Sequence, residues 1–368
     1  MPSPHGGRGG RSRRSESLRN NGYDRAVTRD RATLAAVARE AGVSVPTVSK
    51  VLNGRTDVAP ETRARIESLL VRHGYVARGP GGVQPATRTV EVVFDAMRTP
   101  NNVEILRGAL EAASAEEVDV VVDIVPDDPL GAAWARRTAA ARRAGLILVT
   151  SAINPQQWRH FAEQHIPVVA IDPVNLPGPD LPSVGATNFN GGMAATGHLL
   201  ELGHRRIGFI EGPPEAMMAI ARLHGHQAGL AQAGLGVDPA LMATGAFGFD
   251  AGFAAALTLL GRQPRPTALF ASNDSQAFGA IEAARTLGLR VPEEVSIIGF
   301  DDTPAAQWSA PPLTTVRQPF AEMGRVAMRR LLRLIAGEEL ASPRVELATQ
   351  LVIRKSTAAV ESSKTFGA

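Results

Sequence analysis

Seven strand-length apolar runs, separated from one another by helical stretches, constrain this chain more than any other feature. They are VEVVF (90–94), VDVVVDIV (118–125), GLILVT (145–150), PVVAID (167–172), RRIGFIEG (205–212), TALFAS (267–272) and EVSIIGFD (294–301). Between them lie segments such as VEILRGALEAA and SQAFGAIEAARTLG. Strands that are apolar throughout have no face for water, so they belong to parallel sheets covered on both sides by helices. Roughly ten strand–helix units are more than one doubly wound sheet holds, so two α/β subdomains with a cleft between them are expected.

Before residue 90 the pattern is different. Thr33 is a plausible N-cap for a helix whose Leu34, Val37, Ala38 and Ala41 form one buried stripe. It stops at Gly42. Val43 then plugs the turn and Ser44 caps a second helix, with Val48, Val51 and Leu52 inward and Val45, Pro46, Ser49, Lys50 and Asn53 outward. A third helix from Pro60 to His73 carries Ile66, Leu69 and Leu70. Two short helices joined by a tight glycine turn and backed by a third make a helix-turn-helix, which presents its second helix to a DNA groove.

Charge agrees with that division. Residues 1–88 hold 16 Arg/Lys against 7 Asp/Glu, a net of +9, whereas the other 280 residues hold 23 against 29, a net of −6. One end suits a polyanion and the acidic remainder has some other task. Residues 1–32 mix Gly, Ser, Pro and eight arginines without periodicity, which is read as a disordered basic tail. The domains expected are 1–32 tail, 33–78 helix-turn-helix, 79–89 Gly/Pro-rich linker, 90–356 effector-binding and dimerisation domain, and 357–368 C-terminal tail.

These residues resemble the LacI (lactose repressor-like) family of transcription regulators. The resemblance covers about 33–356 and rests on VAREAGVSVPTVSKVLNG, ELGHRRIGFIEGP, ARLHGH (221–226), FASNDSQAFGA (270–280) and SIIGFDDTPAAQWSAPPLTTVRQP (296–319), in that order. It implies an all-α helix-turn-helix domain joined to an α/β periplasmic-binding-protein-like effector domain of two doubly wound parallel-sheet subdomains. It also implies a homodimer on near-palindromic operator DNA and a small effector, usually a sugar or nucleoside. By position, Val45, Pro46 and Lys50 would approach base edges, and Thr47, Ser49 and Asn53 would hold phosphates. Lys50 can donate to guanine or serve as a plain phosphate contact. The family's hinge helix wedges a leucine into the minor groove, but ARGPGGVQPATR (77–88) has no leucine and three glycines. A shorter hinge from Val83 stays open.

Ligands on parallel sheets bind beyond the carboxyl ends of the strands, and here those ends are polar. By family position Arg222, Asn273 and Asp301 are expected in the cleft from the second subdomain, facing Asp95, Asp172 and Asn188 from the first. Carboxylates, amides and guanidinium forks satisfy neighbouring sugar hydroxyls. Asp95 and Asp172 could instead hold turns, as Asp274 and Asp302 are expected to do. Trp308 is either a platform for an apolar sugar face or a packing residue.

The chain lacks the nucleophile-elbow, phosphate-loop and dinucleotide signatures, so an enzyme is not expected. His224 and His226 look like a metal pair, but at i and i+2 on a helix they diverge. The absence of cysteine removes disulfides, thiolate catalysis and cysteine-bound zinc. No cofactor, metal or membrane partner is expected. Without a long apolar run or a signal-like N-terminus the protein is read as cytoplasmic. The reading is a repressor of carbohydrate-utilisation genes released from its operator by a sugar. The alternatives are a purine- or nucleoside-responsive corepressed regulator and, least favoured, a secreted solute-binding protein.

Overall fold

The computed structural model describes residues 34–52, 58–72, 89–94, 99–124, 131–176 and 178–360. The expected tail over 1–32, linker residues 79–88, Thr33, Asn53, Asp95 and the last eight residues lie outside them. The chain divides into two units that part between Gln84 and Pro85.

In the first unit, α1 (Leu34–Ala41), α2 (Val45–Leu52) and α3 (Pro60–Arg72) enclose one small core. Val37, Ala38, Ala41, Val48, Val51, Ile66, Leu69 and Leu70 are buried in it, with Val43 packed against them. Gly42 has a φ of 68°, which a side chain would resist, and the Val43 amide closes the turn on the Ala38 carbonyl at 3.0 Å. Ser44 Oγ accepts from the Thr47 amide at 3.4 Å and meets the Thr47 hydroxyl at 2.8 Å, as its capping position requires.

The second unit holds two six-stranded sheets. The N-terminal subdomain is built on β1 (Thr89–Phe94), β2 (Asp119–Ile124), β3 (Gly145–Val149), β4 (Val168–Ile171), β5 (Ser183–Ala186) and β11 (Arg344–Leu347), in the order β11-β5-β4-β3-β1-β2, all parallel. The C-terminal subdomain is built on β6 (Ile207–Ile210), β7 (Met242–Ala243), β8 (Ala268–Ala271), β9 (Ser296–Asp301), β10 (Thr314–Arg317) and β12 (Gln350–Val352), in the order β12-β10-β9-β8-β6-β7, with β12 antiparallel. The chain passes between the subdomains three times, after β5, after β10 and after β11.

Alternating residues of the central strands feed two cores, which is why their runs are apolar, while the edge strand β2 is partly exposed. Val90, Val92, Phe94, Ile147 and Val149 pack under α4 (Pro100–Ala115) and α12 (Phe320–Ile335). Leu146 and Leu148 face α5 (Ala132–Ala140) and α6 (Pro155–Glu163). In the other sheet Leu269, Ala271 and Ile297 meet α9 (Phe249–Leu260) and α10 (Asp274–Thr286), while Phe209, Phe270 and Phe300 meet α7 (Asn188–Glu201) and α8 (Met217–Gln232). Thr357, Ala358 and Val360, in the expected C-terminal tail, are hydrogen-bonded to His198, Ser296 and the Leu202 carbonyl.

On α8, His224 is exposed and His226 is buried. The His226 ring stacks on Phe209 at 4.8 Å and its Nδ1 lies 2.8 Å from the Thr196 hydroxyl, which donates to the Gly192 carbonyl. Burial pushes its pKa down to about 4. A histidine whose folded value is depressed resists protonation, so the stability it permits is intact above the unfolded value near 6.5 and is lost as pH falls toward 4. His226→Gln should therefore lose less stability than the parent between pH 6.5 and 4, by about 3 kcal/mol in urea melts. Parallel losses in the two proteins would show that His226 does not titrate in folding.

Candidate functional site

In the first unit α2 presents Val45, Pro46 and Lys50 as exposed residues, with Thr47 and Ser49 half-buried beside them. Val48 and Val51 hold the opposite face in the core. The helix thus offers one apolar-and-basic face of the size that enters a major groove. Asn53 lies beyond the described residues.

In the second unit the carboxyl ends of the two sheets border a cleft of about 600 Å³. Asp172 from the end of β4, Arg222 from α8, Asn273 at the N-cap of α10 and Asp301 at the end of β9 all line it. Thr150, Asp172 and Asp301 hold φ values of 51°, 42° and 115°. Left-handed backbone at three non-glycine residues around one cavity is strain of the kind that functional sites retain.

Arg222 organises the floor. It is 3 % exposed, its Nε donates to Asn188 Oδ1 at 2.8 Å, and its NH1 donates to the Ser272 carbonyl at 2.6 Å. That NH1 stands 3.6 Å from Asp301 Oδ1, and the guanidinium lies 4.0 Å from the centre of the Phe300 ring. Burial lowers the arginine's pKa, opposed by Asp301 and Asp172. Burial likewise raises Asp301, against the pull of Arg222, and pushes Asp172 up to about 7 for the same reason. Among the described lining residues the cleft therefore carries two carboxyl groups and one guanidinium, a set that fits hydroxyls and offers little to an anion.

Asn188 does not line the main cleft. It holds Arg222 from behind, where a recess of about 170 Å³ continues from Asp172. Trp308 is 80 % exposed at the end of the short helix α11 (Pro304–Trp308) and is not among the cleft residues, which corrects the expectation of a platform there. The aromatic surfaces in the cleft belong to Phe247, 5.9 Å from the Arg222 guanidinium, and to Phe320. Asn101, Asn102 and Gln318 also line it and were not anticipated. Asp274 lies behind the cleft, where it accepts from the Thr303 amide and hydroxyl and the Thr315 hydroxyl, and Asp302 pairs with Arg317 and Arg354. Both hold turns.

Residues 33–78 match the family model described as bacterial regulatory proteins, lacI family, and residues 196–357 match a periplasmic binding protein-like domain. The HTH-type transcriptional repressor CytR of Escherichia coli K12 is 34 % identical over 332 residues, covering 89 % of this chain and 97 % of that protein. The HTH-type transcriptional regulator CelR of Thermobifida fusca is 32 % identical over 338 residues, covering 89 % and 99 %. Among solved structures, the transcriptional regulator CelR–cellobiose complex superposes with a TM-score of 0.68 at 33 % identity over 88 % of this chain and 99 % of that one. The lac repressor dimer bound to operator and an anti-inducer gives 0.67 at 28 % identity over 89 % and 99 %. With both domains matched in order and relatives aligned along nearly their whole length, this chain belongs to the lacI family of bacterial regulatory proteins.

Proposed function

We propose that the protein is a cytoplasmic homodimeric repressor that binds a near-palindromic operator through α2 and leaves it when a neutral, hydroxyl-rich sugar occupies the cleft. The DNA-binding regulatory role is that of the family. The observation carrying the effector class is the convergence of Arg222, Asp172 and Asp301 in one cavity beside the Phe247 ring. Carboxylates and a guanidinium take paired hydroxyls, and an aromatic face takes the apolar side of a pyranose. The cellobiose complex of CelR supports this reading. A nucleoside effector is the second reading, favoured by Phe247 and Phe320 as stacking surfaces. Thermal-shift screening against mono- and oligosaccharides, nucleosides and purine bases separates the two, because a specific ligand raises the melting temperature by mass action. Stabilisation by nucleosides alone would reject the sugar.

Lys50 is proposed to read a base. Lys50→Ala should weaken operator binding by about 1–3 kcal/mol and relax preference at one base pair per half-site in fluorescence anisotropy titrations. Weaker binding with unchanged preference would make it a phosphate contact. Val45, Pro46, Thr47, Ser49 and Asn53 are proposed to share the interface.

A further inference from the structure

We infer that Asn101 is a specificity-determining and positioning residue of the cleft: its hydrogen bond to Asp301 latches the two subdomains together and makes one composite hydroxyl partner from both sides. Asn101 stands in the first turn of α4, in the N-terminal subdomain, and Asp301 ends β9 in the other. Asn101 Nδ2 donates to Asp301 Oδ2 over 3.0 Å. Asp301 Oδ1 accepts from Gln318 Nε2 at 2.7 Å and faces Arg222 NH1 at 3.6 Å. The carboxylate is thus oriented from three sides while both residues line the cleft. A carboxylate oxygen that accepts one hydrogen bond keeps a second lone-pair direction, and the Asn101 amide carries an acceptor oxygen of its own. Two adjacent hydroxyls match that pair, one donating to each residue.

Position gives the bond its second role. Among the described residues the subdomains are also joined by the three chain crossings, by Thr187 with Thr349 at those crossings, by the Met217 amide donating to the Val174 carbonyl at 3.1 Å, and by Val174 packed against Ala216, Met218 and Ala219. Asn101 with Asp301 ties the two lips of the cleft directly. An effector bound to both residues favours the closed arrangement, and it shifts the population by as much as its affinities for the closed and open forms differ. The specificity half of this inference rests on the cleft being the effector site, whereas the latch does not.

The chain has no cysteine, so a cysteine pair placed at Ala152 and Ala246, exposed in loops after β3 and β7, accepts spin labels at those two points alone. In the ligand-free protein, Asn101→Ala should shift the measured distance distribution to longer values. Asn101→Asp at pH 8, which sets two carboxylates against each other, should shift it at least as far. The exchange Asn101→Asp with Asp301→Asn restores a donor and an acceptor in reverse and should return the distribution toward the parent. Circular dichroism melts identify any variant that fails to fold. A parental distribution in Asn101→Ala, or an exchange variant no more closed than Asn101→Asp, overturns the latch. In thermal-shift titrations with cellobiose, lactose, ribose and cytidine, Asn101→Ala should change the relative affinities by about fivefold, the worth of one hydrogen bond. A uniform drop across the panel overturns the specificity role. A panel that fails to stabilise the parent counts against the proposed effector and leaves the distances to decide the latch.

Discussion

Arg222→Met should destabilise the effector domain by about 3–5 kcal/mol and abolish its response to effector, since removing one member of a buried ion pair strands the other. The side chain is 3 % exposed and serves Asn188, Ser272 and Asp301 at once. No neighbour can replace it, because the described lining of the cleft holds no other cation. The deficit should depend on pH in a definite sense. Asp172 has a folded value raised to about 7 from 3.8, so the stability it supports is complete below 3.8 and is lost as pH rises through 7. Arg222 is the group that opposes that rise, at Asp172 and at Asp301. Without it the carboxyls bind protons more tightly, and the variant should lie furthest below the parent near pH 8 and approach it as pH falls toward 4. Urea melts across that range, with calorimetric effector titrations at pH 7.5, give both results. A variant as stable as the parent at pH 8, or a gap that widens in acid, would mean that the guanidinium does not neutralise this cluster.

Much of the architecture was legible because it rests on period and punctuation. The seven apolar runs became strands, and all but the edge strand β2 are covered on both faces, which leaves few polar positions to disguise them. Gly42 and Ser44 marked the helix-turn-helix for equally local reasons. What escaped was the way the subdomains are joined. Strands β5 (SVGA), β10 (TTVR), β11 (RVEL) and β12 (QLV) are only three or four residues long, too short for an apolar run or an alternation to stand out from the surrounding sequence. They are also the strands that flank the crossings, so the interleaving of the two sheets was hidden with them. At the site, Asp172, Asn273 and Asp301 stand at element ends as expected, whereas Arg222 sits in the second turn of α8 rather than at a strand-to-helix junction. Trp308 drew attention because it is large, yet its chain position sends it to the surface of α11. Phe247, in the loop after β7, carried no local signal because tertiary packing within the C-terminal subdomain brings it to Arg222, and Asn101, one residue past Pro100, carried none because only the meeting of the two subdomains brings it to Asp301.

Gly225 couples that architecture to the site. A Cβ there would overlap the Phe189 carbonyl oxygen of α7, and reciprocally one at Gly192 would overlap the Arg222 carbonyl of α8. The two helices touch backbone to backbone, so no rotamer relieves an added side chain. Gly225→Val should therefore cost more than about 3 kcal/mol, the upper part of the usual range for overpacking, even though helix propensity alone would favour replacing a mid-helix glycine. The control lies on the same pair of helices. Gly197 in α7 has open space where its Cβ would stand, and Gly197→Ala should stabilise by about 0.5–1 kcal/mol. Function should follow the backbone, because Arg222 precedes Gly225 by less than one helical turn and its Nε reaches Asn188 at the start of α7. Forcing α8 away from α7 pulls the guanidinium from Asn188 and from Asp301 together. Gly225→Ala, the milder wedge, should fold at low temperature with effector affinity reduced and operator affinity kept, since α1, α2 and α3 form a separate core. Parental effector affinity in Gly225→Ala, measured where the variant is fully folded, would show that the seat of Arg222 tolerates helix separation and that the α7–α8 contact serves stability alone.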